Sequence, residues 1–339
     1  MPLHADMYQT LRRVLQDFPS SGYKMQSVPI SFLKCKAVEV GYYMLASKPD
    51  ELDEDTEFTR IFYFDDQVPK DKWRHTDLRN FSVADLCVVK KAMGGQRRYA
   101  TLSKDGDVFY AWPGGQLLEK IADAGLKKNA PIYGQMNSIR EIDGVLYACG
   151  AGGQIYMRNI DGWSDIAGVL RKPTPTISAN LALNSIELAD NINDIDGYSG
   201  DDLYVCGGKG LYHYNGIHWE ECQASTDEII INVLCTGENV VWACGFNGAI
   251  LKGNASTGFK DVSHYDDNMI FSKMVIFEGR VYLASNEGLY SFSLEKEKTK
   301  LEKIEGIDDC EDLSVVDNFM LCVGSKKIKI LNGGSWSEL

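Results

Sequence analysis

The residue types that most often hold metal ions or transfer protons are few and scattered in this sequence. The five histidines form no H-x-H or H-E-x-x-H motif. His213 and His218 fall on neighbouring predicted strands and could approach each other, but a packed or surface role is the simpler interpretation. The stretch 191–197 does not fit a calcium-binding loop, because Ile195 occupies a ligand position. The sequence therefore predicts no metal centre and no cofactor. The histidines are His4, His75, His213, His218 and His264.

The nine cysteines contain no C-x-x-C pair. Four recur at one position of a repeated unit described below, where cysteine serves as a small apolar residue. Equivalent atoms of neighbouring units would lie too far apart for a disulfide, and no partner base accompanies them. The odd count, and an N-terminal stretch without the apolar core of a secretory signal, favour reduced thiols and a cytoplasmic location. The four are Cys149, Cys206, Cys244 and Cys322.

The charge balance narrows the class of partner. The chain has 48 Asp and Glu against 35 Lys and Arg, a formal net charge of −13. Nucleic acids and anionic membranes are bound through basic surfaces, so the charge argues against both. It favours a protein partner that is basic where it makes contact, although plain solubility explains an acidic chain as well.

A repeated hairpin pattern organises the chain. The stretch 201–219, DDLYVCGGKGLYHYNGIHW, predicts strands joined by glycine turns, with Gly207, Gly208 and Gly210 supplying positive φ angles. Similar units recur at about 40 residues, the period of a four-stranded propeller blade. A closed ring of such blades covers the sheet edges that an open array would expose. The matched positions of the regular units are Gly150, Gly207, Gly245, Ser285 and Gly324.

From about residue 132 the units resemble the bacterial β-propeller repeat of the broad WD-like and sialidase-like propeller superfamily. The resemblance implies the fold and no single activity. Sialidase-like propellers cleave sugars with an arginine cluster, whereas the last four units here contain only Arg280. The residues that carry the resemblance are Asn193, Asp194, Ile195, Asp201, Asp202, Leu203, Tyr204, Gly207, Gly210, Tyr214, Asn215, Gly216 and Trp219.

We predict an all-β fold, a single β-propeller of seven four-stranded blades over residues 23–339. Residues 1–22 should form a short amphipathic helix and a linker, and 169–190 an insertion. Whether 23–78 makes a complete blade stays open. Within that unit, the acidic stretch KPDELDEDTE at 48–57 is expected to be a solvated loop.

Acidic residues gather where the fourth strand of one unit leads to the first strand of the next. Such connections lie on one face of a propeller, so the acids should form a negatively charged rim that binds a partner. The predicted contact residues are Asp194, Asp227, Glu228, Asp266, Asp267, Asp308, Asp309, Glu311 and Asp312.

The leading interpretation is a non-catalytic, protein-binding propeller. Its sharpest form is an immunity or inhibitor protein that neutralises a basic toxin or enzyme. A scaffold or assembly factor for a multiprotein complex is the first alternative, and several modest partners rather than one tight partner would distinguish it. A glycan-acting hydrolase or lyase is the second alternative.

Overall fold

The computed structural model describes residues 28–125, 134–171, 191–208, 210–294 and 300–339. Within these ranges the chain forms seven antiparallel sheets of four strands each. In every sheet the strands follow one another in chain order, and we call them a to d from the axis outwards. The predicted seven four-stranded blades are therefore confirmed.

The strands have the following bounds. Blade 1 contains β1 (Ile30–Glu39), β2 (Tyr42–Pro49), β3 (Phe58–Asp65) and β4 (Trp73–Arg79). Blade 2 contains β5 (Val83–Val89), β6 (Arg98–Ser103), β7 (Asp107–Trp112) and β8 (Gly115–Lys120). Blade 3 contains β9 (Met136–Ile142), β10 (Val145–Gly150), β11 (Gln154–Asn159) and β12 (Gly162–Asp165). Blade 4 contains β13 (Ile192–Ser199), β14 (Asp202–Gly207), β15 (Gly210–Tyr214) and β16 (Trp219–Glu221). Blade 5 contains β17 (Ile230–Thr236), β18 (Val240–Gly245), β19 (Ile250–Asn254) and β20 (Gly258–Asp261). Blade 6 contains β21 (Phe271–Phe277), β22 (Arg280–Ser285), β23 (Gly288–Ser293) and β24 (Glu302–Lys303). Blade 7 contains β25 (Asp312–Val316), β26 (Phe319–Val323), β27 (Ile328–Asn332) and β28 (Ser335–Glu338).

The ring closes between the two ends of the described chain. Strand β1 contacts β5 on one side and β25 and β26 on the other. All four strands of blade 1 come from residues 30–79 and all four of blade 7 from 312–338. Non-covalent contacts between whole blades therefore join blade 7 to blade 1.

Strand b of each blade is buried on both faces because a neighbouring blade covers each side. In β14, Leu203 and Val205 pack with residues of blade 3, while Tyr204 and Cys206 pack with residues of blade 5. All four side chains are at most 2% exposed. Since successive residues of a strand point to opposite faces, a continuous apolar run suits this position.

The recurring glycine after strand b has a different cause from the predicted one. Gly210 does adopt a positive φ of 108°, but neither Gly207 nor Gly208 does, so the prediction was wrong for these two. A Cβ atom on Gly207 would instead lie 1.8 Å from the carbonyl oxygen of Asn191. The glycine is required because the connection from the previous blade passes directly over the end of strand b.

Two predicted segments lie outside the described residues. These are the helix and linker over 1–22 and most of the insertion at 169–190, from residue 172 onward. The helical segments in the described ranges are single 3-10 turns at Gly168–Leu170, Gly237–Asn239 and Phe246–Gly248. No helix in those ranges has the length and apolarity needed to cross a membrane.

Candidate functional site

The connections between blades and the turns between strands b and c lie on one face of the ring. In blade 5 the backbone N–H of Phe246, in the b–c turn, donates to the carbonyl of Ile229 in the preceding connection at 2.9 Å. The N–H of Gly248 in the same turn donates to the carbonyl of Met269 in the next connection, also at 2.9 Å. We call this side the link face.

Seven of the nine predicted contact residues lie in connections on the link face. Asp227, Asp266, Asp267, Asp308 and Glu311 are exposed, and Glu228 and Asp309 are half-buried. The half-buried pair is tied to b–c turns. Asn247 Nδ2 donates to Glu228 at 2.8 Å, and the backbone N–H and hydroxyl of Ser325 both donate to Asp309 at 2.8 Å.

The acidic loop of blade 1 belongs to the same face, which the sequence analysis did not predict. It joins β2 to β3 and is therefore a b–c loop. Lys48 Nζ donates to the carbonyl oxygens of Asp53 at 2.7 Å and Glu54 at 2.8 Å, so the lysine ties down the loop backbone. Lys326, in the b–c turn of blade 7, donates to Asp50 at 2.5 Å and joins the loop to the next blade. The exposed acids of this loop are Asp50, Glu51, Asp53, Glu54, Asp55 and Glu57.

Together these acids occupy consecutive sectors of the ring from blade 5 through blades 6 and 7 to blade 1. Lys303 pairs with Asp308 at 3.0 Å, and Lys326 pairs with Asp50, so nearby cations neutralise only part of the charge. We call the set the acidic surface. Its members are Asp50, Glu51, Asp53, Glu54, Asp55, Glu57, Asp227, Glu228, Asp266, Asp267, Asp308, Asp309 and Glu311.

The other two predicted residues, Asp194 and Asp312, are not in connections and are not exposed. They lie in β13 and β25, and they are 3% and 4% exposed. Their carboxylates accept hydrogen bonds from the next blade: the N–H of Val233 at 3.3 Å and the N–H of Cys35 at 2.8 Å. Because these bonds replace water, the two carboxylates are buried between innermost strands and join blades.

A ring of polar residues lines the innermost strands and includes both of these aspartates. Each member follows a register shift near the start of strand a or, in β25, opens the strand. Asn232 has the same bonding role as Asp194, since its Oδ1 accepts from the N–H of Met274 in the next blade at 2.8 Å. The members are Lys34, Asp85, Ser138, Asp194, Asn232, Lys273 and Asp312.

Lysine cannot accept a hydrogen bond, and the ring compensates for this at both of its lysines. Around the ring, Lys34 of blade 1 is followed by Asp85 of blade 2, whose Oδ1 accepts from the N–H of Leu86 at 2.8 Å. Lys273 precedes Asp312, whose Oδ1 accepts from the N–H of Leu313 at 3.0 Å. The aspartate after each lysine thus satisfies the backbone N–H that the preceding blade leaves without an acceptor.

Arg140 is the centre of the charged part of this ring. Its guanidinium contacts Asp194 at 3.1 Å and Asp196 at 2.9 Å, and the hydroxyl of Ser138 donates to Asp194 at 2.6 Å. Burial would lower the pKa of Arg140, but the carboxylates of Asp194, Asp196 and Asp85 outweigh it and raise the pKa. Burial would raise the pKa of Asp194, yet Arg140, Lys273 and hydrogen bonds hold it below its usual value. These groups satisfy one another and stabilise the ring.

The histidines and cysteines that were considered for metal binding or catalysis have other surroundings in the structure. His213 Nε2 lies 2.8 Å from Asp202 in an open polar cleft of about 390 Å³ between blades 4 and 5, away from the acidic surface. Burial raises the pKa of the Cys206 and Cys244 thiols, which disfavours the nucleophilic thiolate. Among the described residues no group of three His, Cys, Asp or Glu is placed to hold a metal ion. On the link face, the described residues present an array of exposed carboxylates.

The closed ring of four-stranded meanders makes this chain a seven-bladed β-propeller. Solved structures with a similar fold include the WD40 β-propeller domain of Doa1, with a TM-score of 0.62 and 11% identity over 91% of this chain and 95% of that chain. Another is YCF48 bound to D1 peptide, with a TM-score of 0.59 and 12% identity over 90% of this chain and 94% of that chain. At these identities the likeness concerns the fold alone.

At the level of sequence, no protein-family profile matches the chain. It is similar to a curated bacterial protein, the Immune protein Tsi7 of Pseudomonas aeruginosa strain PAO1. The two are 25% identical over 212 residues, which is 61% of this chain and 64% of that protein. The match therefore spans slightly less than two thirds of the relative's length.

Proposed function

We propose that this protein is a non-catalytic immunity protein that binds a toxin or other enzyme with a basic contact surface and neutralises it. The observation that carries the proposal is the similarity to Immune protein Tsi7 over 212 residues. The acidic surface supports it, because one sector of a rigid ring presents exposed carboxylates from four successive blades. A cytoplasmic location belongs to the same proposal.

The electrostatics favour a basic partner for two reasons. The carboxylates of Asp55, Asp227 and Asp267 make no hydrogen bond or ion pair within the described part of the chain, so they are available to partner cations. A continuous negative surface also steers a basic protein toward it and raises the association rate at low salt. Binding through this surface should therefore weaken as salt screens the charges.

The test uses charge reversal at positions without a structural role. Asp55→Lys, Asp227→Lys and Asp267→Lys are combined in one variant. The matched control combines Asp161→Lys, Glu221→Lys and Glu278→Lys, which change the net charge by the same amount. Asp161 and Glu278 lie in turns on the face opposite the link face, and Glu221 lies in the outermost strand of blade 4. Both variants and the wild type are immobilised on a resin and incubated with a source-cell lysate at low salt. The proteins that bind are identified by mass spectrometry. The dissociation constant of the purified partner is then measured for both.

The proposal expects one basic partner whose affinity falls at least about tenfold in the acidic-surface variant and stays within about twofold in the control. The captured partner must also lose its toxicity or activity when this chain is co-expressed. Equal binding by both variants would show that the acidic surface does not contact the partner. Several partners without neutralisation would favour the scaffold or assembly alternative.

A further inference from the structure

Cys310 and Cys322 lie together in the apolar core between blades 6 and 7. Cys310 lies in the connection before blade 7, Cys322 in strand β26 and Cys35 in strand β1. They are 3%, 1% and 2% exposed, and all nine cysteines are free thiols. Cys35 lies in the adjoining core, between blades 7 and 1.

Cys310 and Cys322 are in direct contact. The thiol of Cys322 donates to Cys310 Sγ at 3.2 Å. A disulfide needs a sulfur–sulfur distance of about 2.05 Å, so the two atoms would have to approach by about 1 Å. By contrast, the thiol of Cys244 lies beside a backbone carbonyl, that of Phe271, at 3.6 Å. Within the described ranges, Cys310 and Cys322 are the one pair of cysteines whose thiols are hydrogen-bonded to each other.

We propose that Cys310 and Cys322 are a redox-active dithiol that oxidises to an intramolecular disulfide and fixes the connection 304–311 to strand β26. Thiol–disulfide exchange with a small external disulfide balances the reaction. The first thiol attacks the external disulfide, forms a mixed disulfide and releases one small thiol. The second cysteine then attacks the mixed disulfide, forms the Cys310–Cys322 bond and releases the other small thiol. Two electrons and two protons thus pass from the protein to the external disulfide.

Burial controls the rate of this reaction. The hydrogen bond from Cys322 and desolvation both raise the pKa of Cys310, so the reactive thiolate is scarce in the closed structure. The exchange must pass through a local opening that admits the external disulfide. The same enclosure shields the finished disulfide from reductants, so each state of the pair is long-lived.

The disulfide would act on the part of the chain that carries Asp308, Asp309 and Glu311. This connection contains no regular strand between β24 and β25. A covalent bond at Cys310 restricts its local opening, and we expect backbone amides of 304–311 to exchange at least about fivefold more slowly after oxidation.

The experiment treats the full chain with oxidised glutathione, both in buffer and at a urea concentration below the unfolding transition. The expected product has lost two hydrogen atoms by intact mass and yields a cross-linked peptide containing residues 310 and 322. Hydrogen exchange of 304–311 is compared before and after oxidation. Cys310→Ala and Cys322→Ala should each abolish the product, while Cys244→Ala serves as the matched control and should retain it.

The proposal is overturned if the wild type forms no intramolecular disulfide under either condition. It is equally overturned if glutathione remains attached to one cysteine, if other cysteine pairs cross-link as often, or if exchange of 304–311 is unchanged by oxidation. These readouts need no partner, so they stand or fall apart from the immunity function.

Discussion

The carboxylate of Asp312 accepts a hydrogen bond from the backbone N–H of Cys35 at 2.8 Å, across 277 positions of sequence. This bond connects the first strand of the last blade to the first strand of the first blade. The same carboxylate accepts from the N–H of Leu313 at 3.0 Å. One buried side chain thus satisfies two backbone groups at the junction that closes the ring.

Asp312→Ala should destabilise the protein by about 3 kcal/mol, because it leaves two buried N–H groups without an acceptor. Asp312→Asn keeps one side-chain oxygen and should lose about 1 kcal/mol. Urea unfolding measures both free energies. Asp308→Ala, at an exposed neighbouring position, is the control and should change stability by less than about 0.5 kcal/mol. Equal effects of D312A and D308A would contradict the role of Asp312 in closure.

Arg140→Met should cost about 3 kcal/mol or more, since it removes the buried ion-pair partner of Asp194 and Asp196. Adding Asp194→Asn and Asp196→Asn should restore part of that loss. The comparison is Arg60→Met, which removes a half-exposed pair with Asp77 at 2.6 Å. It should cost less than about 1 kcal/mol. Chemical denaturation of the four proteins decides whether the Arg140 network stabilises the ring.

Stability should fall as the pH is lowered below about 4, the usual range of an unfolded aspartate. The folded pKa of Asp194 lies below its ordinary value. The stabilisation that this carboxylate contributes is therefore complete above the unfolded pKa and is lost as the pH falls through the folded pKa. Asp194→Asn should flatten this part of the curve of unfolding free energy against pH. An unchanged slope in that variant would mean that other carboxylates account for the acid sensitivity.

Gly207→Ala should destabilise the protein by about 2 kcal/mol, because the new methyl group would meet the Asn191 carbonyl at 1.8 Å. Gly237→Ala is the matched control, since nothing lies within 4 Å of a Cβ atom there. It should change stability by less than about 1 kcal/mol. Thermal unfolding of both variants tests whether the repeated glycine serves close approach between blades.

The blades could be predicted from the sequence because their pattern is local and repeated. The strands around Leu203–Cys206, the turn at Gly210 and the period of about 40 residues all depend on short segments. The burial and hydrogen bonding of the Asp194 and Asp312 carboxylates could not be predicted from such local patterns. Asp and Asn before a strand are also common turn formers, and only the next blade's N–H groups turn them into buried acceptors.

The candidate surface was predicted in part. The acids of the inter-blade connections were found because those connections share a face in any propeller. The loop 48–57 was recognised as acidic and solvated, but its place on that face depends on its joining β2 to β3. Arg140 was missed because only one blade carries arginine at this position, so no repeat drew attention to it.

Hydrogen exchange of the chain with and without its captured partner tests the central claim most directly. If the acidic surface binds the partner, amide exchange should slow on binding at four segments of the link face. These are residues 50–57, 226–229, 263–270 and 304–311. The turns at 143–144, 160–161 and 278–279 on the opposite side should be unchanged. Protection confined to those opposite turns, with the four acidic segments unaffected, would contradict the account.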